Sequence, residues 1–130
     1  MYQEPDYSPW GEIQACKMLA PGIFSVSTAS HGGILVSNTV INTLSPAARE
    51  CGFWDGSYLC YEEDCQACVV LRELLDRDHR NVPSWIKNTA EYEKDINQSL
   101  QRYNPAYWEA RHAGRRTPSR QTRRRPAYTR

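Results

Sequence analysis

Residues 111–130 hold eight arginines (Arg111, Arg115, Arg116, Arg120, Arg123, Arg124, Arg125 and Arg130) and no acid. Apolar residues are sparse beyond position 108, so this stretch brings little with which to build a core, and such a composition is expected to be disordered when free. Folding is thereby confined to the preceding 110 positions, enough for one small domain and no more. Those positions carry eight basic and fifteen acidic residues, a formal charge of −7. The overall charge of +1 is the cancellation of an acidic body and a basic tail. An asymmetry of that kind points to a binding role, with nucleic acid or an acidic surface as the partner of the tail.

Several classes of protein are excluded. No run of about 18 apolar residues exists, so no membrane span and no membrane partner are expected. The start, MYQEPDYSPWGE, is acidic where a signal peptide needs a basic start and an apolar run. Five cysteines (Cys16, Cys51, Cys60, Cys65 and Cys68) would leave one thiol over in a disulfide framework. Reduced thiols in a cytosol are therefore expected.

The body reads as strands first and helices later, an α+β domain with a small antiparallel sheet (a hairpin or meander) followed by two or three helices. Pro5 and Pro9 mark residues 1–9 as an irregular leading segment, the acidic domain runs over 10–110, and the flexible tail over 111–130. Residues 13–18 offer a first short strand. The β-branched run 23–28 follows the turn pair Pro21-Gly22, and Ile34-Leu35-Val36 follows Gly32-Gly33. Residues 29–33 are expected to connect those two strands, with the glycines at positive φ. Ser45-Pro46 is a helix start, serine as N-cap and proline at the first helical position, and Gly52 closes that short helix. Residues 52–61 read as an aromatic-rich loop.

Glu62-Glu63-Asp64 is expected to open the next helix, its charges complementing the macrodipole, with Ala67, Cys68, Leu71, Leu74 and Leu75 at helical spacing. Asn81-Val82-Pro83-Ser84 ends it. A further helix starts near Thr89, with Tyr92, Ile96, Leu100 and Tyr103 on one stripe, and Asn104-Pro105 breaks it. Residues 106–113 add a last turn or two, with Gly114 as the stop.

Four groups of residues could carry chemistry. Cys65 could act as a nucleophile with His31 as its base, because a helix N-terminus favours thiolate. Glu62, Glu63 and Asp64 oppose that, and no oxyanion-hole signature accompanies the pair. Cys60, Cys65 and Cys68 have a C-x4-C-x2-C spacing with His79 beyond, but only one short ligand pair is present, and Cys68 shares a face with Leu71. No metal and no cofactor are therefore assigned. His31-Gly32-Gly33 fits a tight turn better than a phosphate loop, since no Gly-x-Gly-x-x-Gly pattern follows. In the tail, arginine forks match phosphate, and Tyr103, Tyr107, Trp108 and Tyr128 add rings able to stack on bases.

Pro9-Trp10-Gly11, Pro21-Gly22-Ile23, the run Val26-Ser27-Thr28-Ala29-Ser30-His31-Gly32-Gly33, Leu44-Ser45-Pro46 and Tyr61-Glu62-Glu63-Asp64-Cys65 occur in that order. Over roughly residues 8–75 the chain resembles an uncharacterised family of small domains from bacteriophages, plasmids and other mobile elements. The resemblance implies no activity, marks His31, Gly32, Gly33, Glu62, Glu63, Asp64 and Cys65 as shared site or core, and leaves the arginine tail outside. The expected function is a non-enzymatic accessory protein that binds and inhibits a host defence complex, such as CRISPR or restriction, in the host cytosol. The acidic body would face Lys and Arg of that complex, while the tail would reach RNA, DNA or an acidic patch. Two alternatives stay open: a small hydrolase or transferase built on His31, Glu62, Glu63, Asp64 and Cys65, and a plain nucleic-acid-binding accessory protein.

Overall fold

The pair Pro21-Gly22 turns the chain between two apolar runs, and the sheet grows outward from it. In the computed structural model, which describes residues 2–116, β1 (Ala15–Ala20) pairs antiparallel with β2 (Ile23–Ser27), and β2 with β3 (Gly32–Ser37). Gly22 sits at φ +77°, and a Cβ there would press on the Val40 side chain. The turn therefore requires glycine for both its backbone angle and its close packing. A 3-10 stretch (Asn38–Thr43) and α1 (Pro46–Arg49) follow. The Ser45 side chain accepts the Ala48 N–H as the N-cap of α1, an arrangement contributing about 1 kcal/mol.

The chain then re-enters the sheet. Residues 52–61, expected as a loop, contain a hairpin of β4 (Phe53–Asp55) and β5 (Tyr58–Glu62) turned at Gly56, whose φ is +60°. β5 inserts beside β3, giving the antiparallel order β1-β2-β3-β5-β4. Leu59-Cys60-Tyr61 shows no polar alternation because this interior strand is covered on both faces. Ile34, Val36, Leu59 and Tyr61 face the helices, and the Tyr61 hydroxyl donates to the Ala48 carbonyl at 2.6 Å. On the opposite face, Phe24, Val26, Leu35 and Cys60 pack beneath Trp10 and Ile13 of the leading segment.

The expected glycine connection is corrected by that packing. Gly32 and Gly33 lie inside β3 and neither has positive φ. A side chain on Gly33 would collide with the Trp10 ring and the Tyr61 carbonyl, so its smallness, not its backbone freedom, is what the fold uses.

The helices follow as an α+β domain requires: α2 (Ala67–Arg77), α3 (Thr89–Tyr103) and α4 (Pro105–Arg116). α2 begins at Ala67 rather than at Glu62, because Glu62 completes the β3–β5 ladder and residues 63–66 turn the chain. It also ends at Arg77, earlier than the Asn81-Val82-Pro83-Ser84 breaker suggested. Arg72 is fully buried, with its guanidinium 2.9 Å from Glu93, 3.1 Å from Asp76 and 2.8 Å from the Asn97 side chain. This cluster ties α2 to α3. Gly114 does not stop α4, which runs on to Arg116. The described body thus continues past the Ala110/Arg111 boundary, whereas Arg120, Arg123, Arg124, Arg125 and Arg130 lie outside the described residues.

Candidate functional site

β-pairing gathers the sequence-derived candidates at one corner. Gly33 stands opposite Glu62 in the β3–β5 register, and the Glu63 N–H donates to the Gly32 carbonyl at 3.0 Å. His31 therefore leads into β3 at the sheet end where Glu62, Glu63, Asp64 and Cys65 leave β5. Thr28 shapes the preceding turn: its hydroxyl donates to the His31 carbonyl at 2.7 Å and accepts the His31 N–H at 3.1 Å. The His31, Glu63 and Asp64 side chains are exposed.

The corner is poorly suited to thiol chemistry. The Cys65 thiol points at Glu62 Oε1, 3.5 Å away. Burial pushes the thiol up from its usual value, and the Glu62 hydrogen bond and the Glu62 and Asp64 charges push it the same way. A catalytic thiol needs the reverse. Cys65 lies before α2 rather than in its first turn, which begins two residues further on at Ala67. No hydrogen bond links the His31 ring to Cys65 among the described residues.

Cys60 and Cys68 are also separated by the fold. Cys60 is buried on the Trp10 side of the sheet and Cys68 in the helical core, so the C-x4-C-x2-C spacing does not converge. Burial raises the Cys60 thiol to about 12 and raises Cys68 as well. Among the described residues no group of three or more His, Cys, Asp or Glu side chains is placed to hold a metal ion.

A second region was less legible in sequence. α4 lies along α2 in the same direction and is fastened at three heights. The Asn104 side-chain amide donates to the Cys65 carbonyl, the Tyr107 hydroxyl donates to Glu73 at 2.6 Å, and the Arg111 fork grips Asp76 at 2.7 and 2.9 Å. Glu73 also accepts from the Ser45 N–H and hydroxyl at 2.7 and 3.0 Å, joining α1, α2 and α4 through one carboxylate. Tyr107 is 2% exposed, and burial together with Glu73 holds its phenol strongly protonated. Arg111, read from sequence as the first tail residue, is a structural anchor. Arg115 and Arg116 lie in the last turn of the same helix. The aromatic cluster of Tyr103, Tyr107 and Trp108 signalled this region, but Tyr107 proves to be a core residue.

A family model for a domain of unknown function, DUF7007, matches residues 3–130. The chain belongs to the DUF7007 family. The DUF7007 match takes in the arginine-rich segment, which the motif resemblance over residues 8–75 left outside, so the segment falls within the family's span. No curated protein and no solved structure matches the chain significantly. Among the described residues of this DUF7007 chain, no helix is long and apolar enough to cross a membrane.

Proposed function

We propose that this chain is a non-enzymatic binding protein that recognises nucleic acid through its arginine-rich C-terminal segment while its acidic body addresses basic protein surface. In its specific form it is a phage or mobile-element accessory protein that blocks a host defence nucleoprotein complex in the cytosol. The observation that carries the reading is the fastening of α4. Asn104, Tyr107 and Arg111 fix α4 to the body, and the remaining arginines follow that helix in the sequence. The resemblance to small domains of mobile elements supports the defence-directed form. The charge division, −7 over residues 1–110 and +8 over 111–130, of which Arg111 is paired with Asp76, gives the two parts of the chain opposite preferences.

The gathering of His31, Glu62, Glu63, Asp64 and Cys65 at one corner favours a second reading, a small hydrolase or transferase, which the upward shift of the Cys65 thiol opposes. Fluorescence anisotropy with labelled DNA and RNA oligonucleotides separates the two. Binding is expected to survive H31A and C65S and to fall steeply in the full chain carrying R120Q, R123Q, R124Q and R125Q. Full affinity in that quadruple variant would overturn the binding reading.

A further inference from the structure

The leading segment is pinned across the outer face of the sheet and leaves a cleft beside it. Buried Ser8 closes its turn, donating to the Gly11 carbonyl at 2.7 Å and accepting the Trp10 N–H at 3.3 Å, and Pro5 is buried as well. Between this segment and the β4–β5 turn at Gly56 lies an open cleft of about 330 Å³. Leu35 and Cys60 form its base, and Tyr7 and Tyr58 stand in its walls. Every charged residue lining it is an acid: Glu4, Asp6 and Asp55. Among the described residues none of the three is in an ion pair, whereas Asp76, Asp78 and Glu93 each hold an arginine. Their fields reach the base and walls of the cleft. Burial raises the Tyr58 phenol and the Cys60 thiol, and the charges of Asp6 and Asp55 respectively raise them further. A concave apolar base beneath unpaired charges of one sign focuses potential on a cation.

We propose that this cleft receives an arginine side chain of a protein partner. This rests on the reading above that the acidic body addresses basic protein surface, and it names the place and the residue. Charge complementarity selects a cation, and the walls select among cations. The methylenes of an arginine can lie along Leu35 and Pro9 while its guanidinium stays at the wet rim among the carboxylates. The planar fork pairs with a carboxylate through two hydrogen bonds and stacks on a phenol ring, which a strongly hydrated lysine ammonium does less well. Phosphate meets three like charges here, so this face takes no part in binding nucleic acid. Aromatic surface continues past the cleft: Phe53 stands opposite Cys60 in the β4–β5 register, 40% exposed and edge-on to Trp10. Such rings are enriched where protein partners meet. The Ser8 bonds set the wall before a partner arrives, which lowers the ordering cost of docking.

The test is an amide chemical-shift titration of the full chain with a short Gly/Ser peptide carrying one central arginine, against the same peptide with citrulline or lysine in its place. The arginine peptide is expected to shift Tyr7, Gly56, Ser57 and Tyr58 saturably, the lysine peptide more weakly, and the neutral citrulline peptide not at all. The double variant D6N/D55N should raise the Kd about 3- to 10-fold, as the loss of two partly exposed ion pairs implies. E63Q/D64N removes the same charge from the exposed corner and should change it less than about twofold. Shifts lying away from the cleft, or equal losses in the two double variants, overturn the cleft and leave the acidic body attracting basic surface as a whole. Lysine binding as tightly as arginine overturns the choice of guanidinium. If no residue distinguishes the arginine from the citrulline peptide, both the cleft and the reading of the acidic body fall.

Discussion

The corner at Glu62 and the seam between α2 and α4 each set a carboxylate against a hydroxyl or thiol, and they do opposite things with it. At the corner, Glu62 meets a partly exposed thiol at 3.5 Å, beside the exposed carboxylates of Glu63 and Asp64. At the seam, Glu73 receives Tyr107 at 2.6 Å and Ser45 twice, and Asp76 receives two guanidinium groups. The first arrangement is wet, weakly bonded and tolerant. The second is enclosed and densely paired, and there a lost partner is costly. The difference teaches that this chain concentrates its polar precision on holding helices together, and spends little of it on the residues that look reactive.

That contrast can be broken most forcefully at Arg72. Replacing it with alanine removes the buried link from Asp76 and Asn97 on to Glu93 and empties the volume of a fully buried side chain, while Asp76 keeps Arg111. About 2–4 kcal/mol is expected, measured as a lowered urea midpoint. A loss near zero would mean that the seam is not the stabilising region. Next in size is Gly33→Ala, whose methyl must displace Trp10 or the β5 backbone. About 1–3 kcal/mol is expected, the usual range for overpacking, together with a change in tryptophan fluorescence. Tyr107→Phe removes the donor to Glu73 and should cost about 1–2 kcal/mol. Cys65→Ser at the corner should stay within about 0.5 kcal/mol, as surface substitutions do.

The corner's chemistry gives a sharper contrast by pH. Because burial and the neighbouring Glu62 raise the folded Cys65 thiol above its ordinary value, the thiolate is disfavoured at neutrality and gained only in alkali. Mass-spectrometric alkylation at Cys65 should therefore keep accelerating through pH 9. A plateau below pH 8 would indicate an activated thiol and revive the enzymatic reading.

The two regions also differ in how much of them could be read in advance. Ile23, Ile34 and Val36 alternate and follow Pro-Gly or Gly-Gly, so two strands of the sheet declare themselves locally. The stripe of Tyr92, Ile96 and Leu100 likewise announces α3. β5 was hidden because burial on both faces removes the alternation that marks a strand. The start of α2 was misplaced because Glu62 and Glu63 resemble a helix opening, while the β3 ladder holds Glu62 in extended form. At the corner, the gathering of His31 with Glu62 follows from the β3–β5 register, which joins strands about 25 positions apart, and was only partly legible through the shared motifs. The seam was not, since Glu73–Tyr107 and Asp76–Arg111 join residues 34 and 35 positions apart. Composition assigned Arg111 to the tail, and only a long-range partner shows that it belongs to the body.

The most direct test of the account is the salt dependence of single-strand binding by the full chain, compared with R120Q, R123Q, R124Q and R125Q together. If the segment binds phosphate, the slope of log affinity against log salt should become shallower by about 3, from four contacts at roughly 0.7 each, while H31A leaves it unchanged. An identical slope in the quadruple variant would contradict the claim that the fastened helix exists to present the arginine-rich segment to nucleic acid.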